Sequence, residues 1–364
     1  MTTIINFVPA YKDRPVALEL LKKDVSAAAE VIKGVIKDTD GAVIMPSGVP
    51  ELTEQLSVQL EGVARVVEET LPNLGFVYSN DTAALRVLNG EKPLPSEVTG
   101  KSKEFLLVDG GNLLSSDGKR AVWFKEADAP VELPAKICIG DLVAASGVTD
   151  AKAVYVGYPV GEFFSTSDLL QEVELNTDYV DVYDNKKCMA QALNEVCQMY
   201  RHETCGRCVY GHEGGYQTAT IIADICRNKG KSSDVELLKD LCPTMETQCL
   251  CEMGRVMGHT VTSALASFGP EIEAHFTKHV CSAGECSAYM TYHILPNLCS
   301  GCGECLDVCE EDAILGKSRF VHVIDQKACT KCGQCLPICE EKAIIMAGAD
   351  KPRTPPRPIP IRRR

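Results

Sequence analysis

CSGCGECLDVCEEDAI runs from Cys299 to Ile314, and CTKCGQCLPICEEKAI runs from Cys329 to Ile344, thirty residues later. Each copy reads C-x2-C-x2-C-x3-C. Three closely spaced thiolates wrap one side of a four-iron cubane, and the fourth cysteine of such a run reaches the cluster of the other copy. The spacing therefore assigns Cys299, Cys302, Cys305 and Cys339 to one [4Fe-4S] cluster, and Cys329, Cys332, Cys335 and Cys309 to a second. Gly301, Gly303 and Gly333 suit loops that turn tightly and aim backbone N–H groups at sulfur. A pair of zinc sites explains neither the swapped fourth cysteine nor the repeat. Where proline usually follows the fourth cysteine, this chain has Glu310-Glu311-Asp312 and Glu340-Glu341. Negative charge beside a cluster disfavours an added electron, so low potentials are expected.

The rest of the chain is read from this outlet backwards. It has 364 residues, 45% hydrophobic and 24% charged, which is globular composition with room for two or three domains. Of its nineteen cysteines, Cys138 stands alone in the N-terminal half and the other eighteen lie between Cys188 and Cys339. The opening MTTIINFVPAYKDR lacks a signal-peptide pattern, and CxxC spacings in a cytoplasmic setting read as metal or Fe–S ligands rather than disulfides. A cytoplasmic protein is expected. No run of about 18 apolar residues predicts a membrane span. The net charge of −13 argues against nucleic acid as a partner. The closing KPRTPPRPIPIRRR is Pro/Arg-rich; proline fixes φ and removes a donor, so an extended tail over 349–364 is expected, either disordered or laid along an acidic partner.

Residues 188–275 carry apolar positions at helical spacing, as in CMAQALNEVCQMYRHE and TATIIADICRN. Between these lies ETCGRCVYGHEGG with Cys205 and Cys208, and later TQCLCEMG with Cys249 and Cys251. In the N-terminal half, helical stretches alternate with short apolar runs (GAVIMP, GFVYS, KEFLLVDGG), an α/β pattern. Residues 118–180 read as short strands around one helix near Ile139–Gly147. Gly110-Gly111 after a strand reads as a turn. No Walker loop, GxGxxG or nucleophile–base pairing is found, and no catalytic residue is assigned.

These motifs together resemble the NADH-oxidising flavin subunit of respiratory complex I and the matching subunit of electron-bifurcating hydrogenases. That family has a helical domain with ESCGxCxxCREG and a later C-x-L-G holding one [4Fe-4S] cluster. Glu203, Cys205, Gly206, Cys208, Glu213 and Gly214 fall on the first motif, and Cys251, Met253 and Gly254 on the second. The YKDR at 11–14 and its following helix, SNDTAALRVLNGEKP at 79–93 and ELPAKICIGDLVAASG near 132 resemble further family segments. The resemblance implies a multidomain α+β fold: a degenerate flavin-domain α/β region over 1–115, a β-grasp domain over 116–182, a helical Fe–S domain over 183–278, and a bacterial-type two-cluster ferredoxin domain over 279–348 before the tail.

Three departures qualify it. The family's Gly-rich GRGGAGFPTG loop has no counterpart, and such loops hold flavin phosphate through backbone N–H groups. The family's GEET is Ser79-Asn80-Asp81-Thr82, and its third cluster cysteine falls on Gly211. A flavin is therefore not expected, and no flavin-binding residue is assigned. Cys249 is the favoured replacement ligand for a third cluster with Cys205, Cys208 and Cys251; Cys242 and His212 are the alternatives. Cys281 and Cys286, spaced C-x4-C, suit two zinc ligands, with His275, His279 and His293 near in sequence; plain packed thiols are the competing reading. Cys138, Cys188, Cys197 and Cys226 read as buried small hydrophobes.

Three functions compete. The first is a non-catalytic electron-transfer subunit of a cytoplasmic, anaerobic, perhaps bifurcating complex, relaying electrons between a flavin- and NAD(P)-binding partner and a ferredoxin-type carrier. The second is a reduced flavoprotein that still oxidises NAD(P)H. The third is a scaffold carrying only the ferredoxin clusters. Bound flavin separates the second from the others.

Overall fold

The computed structural model describes residues 2–37, 39–100 and 104–361. The chain divides into two compact units: Met1–Ala223 with Ser232–Ile272, and Asp224–Lys231 with Glu273–Arg364.

The first unit opens with a parallel sheet. Strands β1 (Thr2–Asn6), β2 (Asp40–Met45), β3 (Ala64–Glu68) and β4 (Phe105–Asp109) lie in the order β3-β2-β1-β4. β1 is the centre, pairing Ile4 with Ala42 on one side and Leu107 on the other, and Ile4 and Ile5 are buried on both faces as a parallel strand requires. Helices α1 (Val16–Lys23) and α2 (Val25–Ile36) follow β1; Asp24 breaks the run and caps α2 by accepting from Ala27 N at 2.9 Å. The single helix expected after YKDR is thus two. Helices α3 (Pro50–Gln59) and α4 (Asp81–Leu88) complete the layer, with Asn80 Oδ1 capping α4 at Ala83 N. Gly110-Gly111 does not form a turn: it opens α5 (Gly110–Leu114), because a Cβ at Gly110 would meet the Phe7 ring at 2.8 Å and glycine lets the helix approach β1.

A mixed sheet follows in the order β6-β5-β11-β8-β9, from β5 (Lys119–Phe124), β6 (Val131–Pro134), β8 (Ala151–Val156), β9 (Glu162–Ser165) and β11 (Tyr179–Asp184). The short β7 (Lys136–Cys138) and β10 (Glu172–Glu174) pair beside it, and α6 (Ile139–Ser146) buries Ile139 and Leu142 against its core. Cys138, expected as a packed thiol, is only half-buried, because it stands at the N-cap of α6. Helices α7 (Met189–Glu203), α8 (Gly215–Cys226), α9 (Ser232–Gln248) and α10 (Glu252–Thr277) form the helical region. Tyr11, Phe76, Tyr158 and Tyr200 stack in one aromatic cluster that joins both sheets to α7.

The second unit is built from the doubled phrase. β12 (Thr291–Ile294) pairs antiparallel with β16 (Ile344–Ala347), and β13 (Ile314–Leu315) with β15 (Val323–Ile324). One-turn helices α11 (Glu304–Asp307) and α12 (Cys335–Ile338) carry the third cysteine of each copy or follow its glycine corner. The Pro/Arg tail is extended but not free. β17 (Ile359–Pro360) pairs with β14 (Phe320–Val321) of its own chain, and Ile361 N donates to Arg319 O at 3.0 Å. Proline is tolerated there because a two-residue edge strand demands few donors. The last three residues of the tail lie outside the described residues.

Candidate iron–sulfur and metal centres

In the second unit, one cavity is lined by Cys309, Cys329, Cys332 and Cys335 together with Tyr292, Ile314 and Ile324. The fourth cysteine of the first phrase therefore stands with three of the second. The reciprocal set acts on Cys305: burial first, then Cys299, Cys302 and Cys339, with Cys335 last, raise its thiol to about 12. Cys335 is raised to about 11 by burial, with Cys329, Cys332 and Cys309 adding to it. Such values belong to free thiols; a bound cluster requires all four deprotonated, so metal binding releases protons. Gly301, Gly303 and Gly333 have φ of 71°, 102° and 80°, the left-handed region that a cysteine-rich loop needs at its corners. Ala343 N donates to Cys339 Sγ at 3.3 Å, and His322 Nδ1 lies 3.3 Å from Cys305 Sγ. Burial holds the pKa of His322 below the usual range, opposed by the Lys317 backbone.

In the first unit, α7 ends at Glu203. Its buried carboxylate accepts from Gly75 N at 2.8 Å and Phe76 N at 3.0 Å, and burial raises its pKa against those hydrogen bonds. The chain turns at Gly206 (φ 71°), bringing Cys205 and Cys208 back before a π-helical turn at Tyr210–Gly214. Across from it, α9 ends and Cys249, Leu250 and Cys251 link to α10. Arg255 holds that link by donating to Cys249 O and Thr247 O, and Glu252 accepts from Asn80 Nδ2 at 2.9 Å and from Thr99 N.

The four thiols meet in two pairs. The Cys251 thiol hydrogen-bonds Cys205 and holds its pKa down to about 6, while Cys251 itself is pushed up; Cys249 is raised to about 12 by burial and then by Cys208. Cys208 Sγ also accepts from Gly211 N at 3.3 Å and Leu250 N at 3.5 Å. Cys249 reaches this place because Gly254 leaves room. A Cβ on Gly254 would lie 2.4 Å from Cys249 Sγ and 3.2 Å from Gly211 Cα. The alternatives are elsewhere: Cys242 is buried against Thr218 and Cys197, and His212 is exposed beside Glu213.

The C-x4-C pair also finds a histidine. Ligand atoms of His275, Cys281 and Cys286 lie within 4.8 Å of one another, all buried, with the Tyr289 ring edge-on to His275 at 4.9 Å. His279 and His293 are not part of this group. His279 pairs with Asn228 Oδ1 at 3.0 Å, and His293 with Thr291 Oγ1 at 2.7 Å. Cys188 (at the N-cap of α7), Cys197 and Cys226 are buried.

A cavity of about 220 Å³ opens at the carboxyl ends of β1 and β4, where the strand order reverses and α/β sheets place their ligands. Asn6, Asp109, Asn112, Tyr158, Thr177 and Asp178 help line it, with no lysine or arginine among the described lining residues. Asp109 Oδ1 already caps α5 at Asn112 N, 2.7 Å. A Cβ on Gly111 would stand 3.2 Å from Asp109 Oδ1 and 3.3 Å from Asp178 Oδ1, so the two carboxylates converge. Burial raises both pKa values, and the Asp109 charge raises that of Asp178 further. A flavin phosphate is an anion, and this cradle offers it two acids and an occupied helix start. The described residues lining this cavity supply no cation for such a phosphate.

Comparison with known proteins agrees with the metal-centre geometry. Residues 191–275 match the NADH-ubiquinone oxidoreductase-F iron-sulfur binding region, and residues 292–315 match a 4Fe-4S binding domain. The chain is 30% identical over 207 residues to the NADP-reducing hydrogenase subunit HndC of Solidesulfovibrio fructosivorans, covering 53% of this chain and 42% of that one. It is 30% identical over 107 residues to the F subunit of the NADH-quinone oxidoreductase of Streptomyces coelicolor, covering 29% and 24%. The chain thus spans less than half the length of these curated relatives. An NAD+-reducing [NiFe]-hydrogenase chain shares the fold, with a TM-score of 0.65 at 17% identity over 76% of this chain and 57% of that one. No helix among the described residues is long and apolar enough to cross a membrane.

Proposed function

From a chain that carries the NADH-ubiquinone oxidoreductase-F iron-sulfur binding region and a 4Fe-4S binding domain, we propose an electron-transfer subunit of an oxidoreductase complex. The observation that carries it is the convergence of three separate sets of four cysteines in a chain whose switch-point cavity is acidic. In this reading Cys299, Cys302, Cys305 and Cys339 hold one [4Fe-4S] cluster; Cys329, Cys332, Cys335 and Cys309 hold the second. Cys205, Cys208, Cys249 and Cys251 hold the third, with Cys249 standing in for the ligand that Gly211 lacks. Bound clusters exchange one electron at a time. The protein's residues hold the sulfurs, supply N–H groups to them and exclude water. His275, Cys281 and Cys286 supply three ligands of a structural zinc site, for which a fourth is needed.

Two-electron chemistry then falls to a partner, a flavin- and NAD(P)-binding subunit of a cytoplasmic complex, with a ferredoxin-type carrier at the other end. Pairing a two-electron donor with a chain of one-electron centres is the arrangement that bifurcation in an anaerobic organism would use. The boundaries proposed are those of the sequence: 1–115, 116–182, 183–278, 279–348 and the tail.

A joint iron, zinc and flavin count on anaerobically purified protein tests this. About twelve irons and no flavin are expected. About eight irons would remove the third cluster, and stoichiometric flavin would restore an NAD(P)H-oxidising flavoprotein. Serine variants of the buried, cluster-unassigned Cys188, Cys197, Cys226 and Cys242 identify the fourth zinc donor as the one whose loss empties the zinc.

A further inference from the structure

The two halves of the ferredoxin unit are copies in their cysteines but not in what lies over them. Tyr292 and His322 each stand seven residues before the first cysteine of a copy. Tyr292 lines the cavity of Cys309, Cys329, Cys332 and Cys335, and its hydroxyl rests at the Gly333 corner: a Cβ there would meet it at 2.7 Å. His322 takes the equivalent place over the other set, and there the ring aims at a sulfur. Nδ1 is 3.3 Å from Cys305 Sγ. The residue is 1% exposed, and Nε2 is buried with no hydrogen-bond partner. The ring's geometric hydrogen bond is thus spent on a cluster ligand. Space for it is made by Gly316, since a Cβ there would lie 2.0 Å from His322 Cδ2. The matching position of the second copy, thirty residues on, is Met346, which pairs with Tyr292 across β12 and β16.

We propose that His322 makes the cluster held by Cys299, Cys302, Cys305 and Cys339 the more easily reduced of the two, by donating Nδ1–H to the Cys305 sulfur. The inference rests on the reading that these cysteines hold a cluster. A reduced cluster carries one more negative charge on its sulfurs. A donor aimed at sulfur therefore stabilises the reduced form more than the oxidised form and raises the potential. The acidic runs after the fourth cysteines are unequal: Glu310-Glu311-Asp312 follows Cys309, assigned to the other cluster, whereas Glu340-Glu341-Lys342 follows Cys339. The histidine acts in the same direction as that difference, and its own share is what its replacement removes. An electron entering the unit rests at the Cys305 side, and the other cluster is the stronger reductant.

The experiment is an EPR-monitored redox titration of the full chain, with iron counted alongside. Wild type is expected to show two separated ferredoxin steps. His322→Phe keeps a ring and loses the donor; its upper step is expected to fall towards the lower one, which stays in place. His322→Gln restores an N–H and should recover part of the separation. An upper step unmoved in His322→Phe at full iron content would overturn the proposal. Should that variant lose iron, wild-type protein labelled with 15N-histidine decides. A nitrogen hyperfine coupling to the first-reduced cluster is expected, and its absence overturns the assignment. These readouts need no partner, so loss of the electron-relay reading through failed partner assays leaves them standing.

Discussion

In the ferredoxin unit each four-cysteine set is drawn from two copies of one phrase, so the spacing alone groups the eight cysteines. In the helical region four cysteines also converge, but they come from two unrelated loops, one after α7 and one before α10. The first arrangement tolerates no relocation, because the cysteine spacing is fixed and its loops turn at Gly301, Gly303 and Gly333, with φ of 71°, 102° and 80°. The second does tolerate it. Cys249 Sγ packs against Gly254, which also adjoins Gly211, so one loop presents a thiol where the other has none. A cluster asks for four sulfurs in the right places and is indifferent to which strand of chain delivers them.

The largest expected effect tests that contrast directly. Cys249→Ala should remove one cluster and lower the iron count from about twelve to about eight, leaving the ferredoxin EPR signals intact. Adding Gly211→Cys to it should restore iron in part, since only the movable Cys208 sulfur, 2.9 Å from the new Cβ, stands in the way. The same swap has no equivalent in the repeat: Cys339→Ala should lose its cluster with no rescue from a nearby position. Full iron in Cys249→Ala would mean that the helical region uses another ligand.

An intermediate effect concerns how the helical site is held. Glu203 ties the CxxC loop to the α/β region through Gly75 N and Phe76 N, and Glu252 ties the opposite loop through Asn80 and Thr99. Glu203→Ala leaves two buried donors unpaired, at a cost of about 2 kcal/mol. Urea unfolding should show the loss in the transition of the first unit, with Glu203→Gln losing less. Equal stability in all three proteins would mean that water replaces the carboxylate without penalty.

Legibility in the sequence follows the same divide. The doubled phrase and the grouping of Cys309 with the second copy's cysteines could be read from spacing because the repeat is local. The α/β pattern and the helical character of residues 188–275 were legible from periodicity. Cys249 could only be favoured over Cys242 and His212, since the choice depends on how α9 and α10 meet. His275 could not be separated from His279 and His293, because only the folded chain brings its ring within 4.8 Å of Cys281 and Cys286. The tail's pairing with Phe320–Val321 is a contact between distant residues and left no local signal. His322 did leave one: aligning the two copies upstream of their first cysteines sets it against Tyr292.

The smallest effect lies where α10 crosses the second sheet. His259 stands 3.7 Å from Glu162 and 3.8 Å from Glu246. The Glu162 carboxylate, opposed by partial burial and helped by Glu246, raises its pKa above 6.5. Raised in the folded state, the group contributes stability that is complete below 6.5 and is lost as pH climbs through the raised value. The pair is half-exposed, so the contribution is about 0.5 kcal/mol. Wild type should therefore exceed His259→Gln in thermal stability by a small margin below pH 6.5, and the two should converge once pH passes the raised value. A margin that instead grows with pH would show that His259 is held neutral by packing and that the carboxylates beside it are spectators.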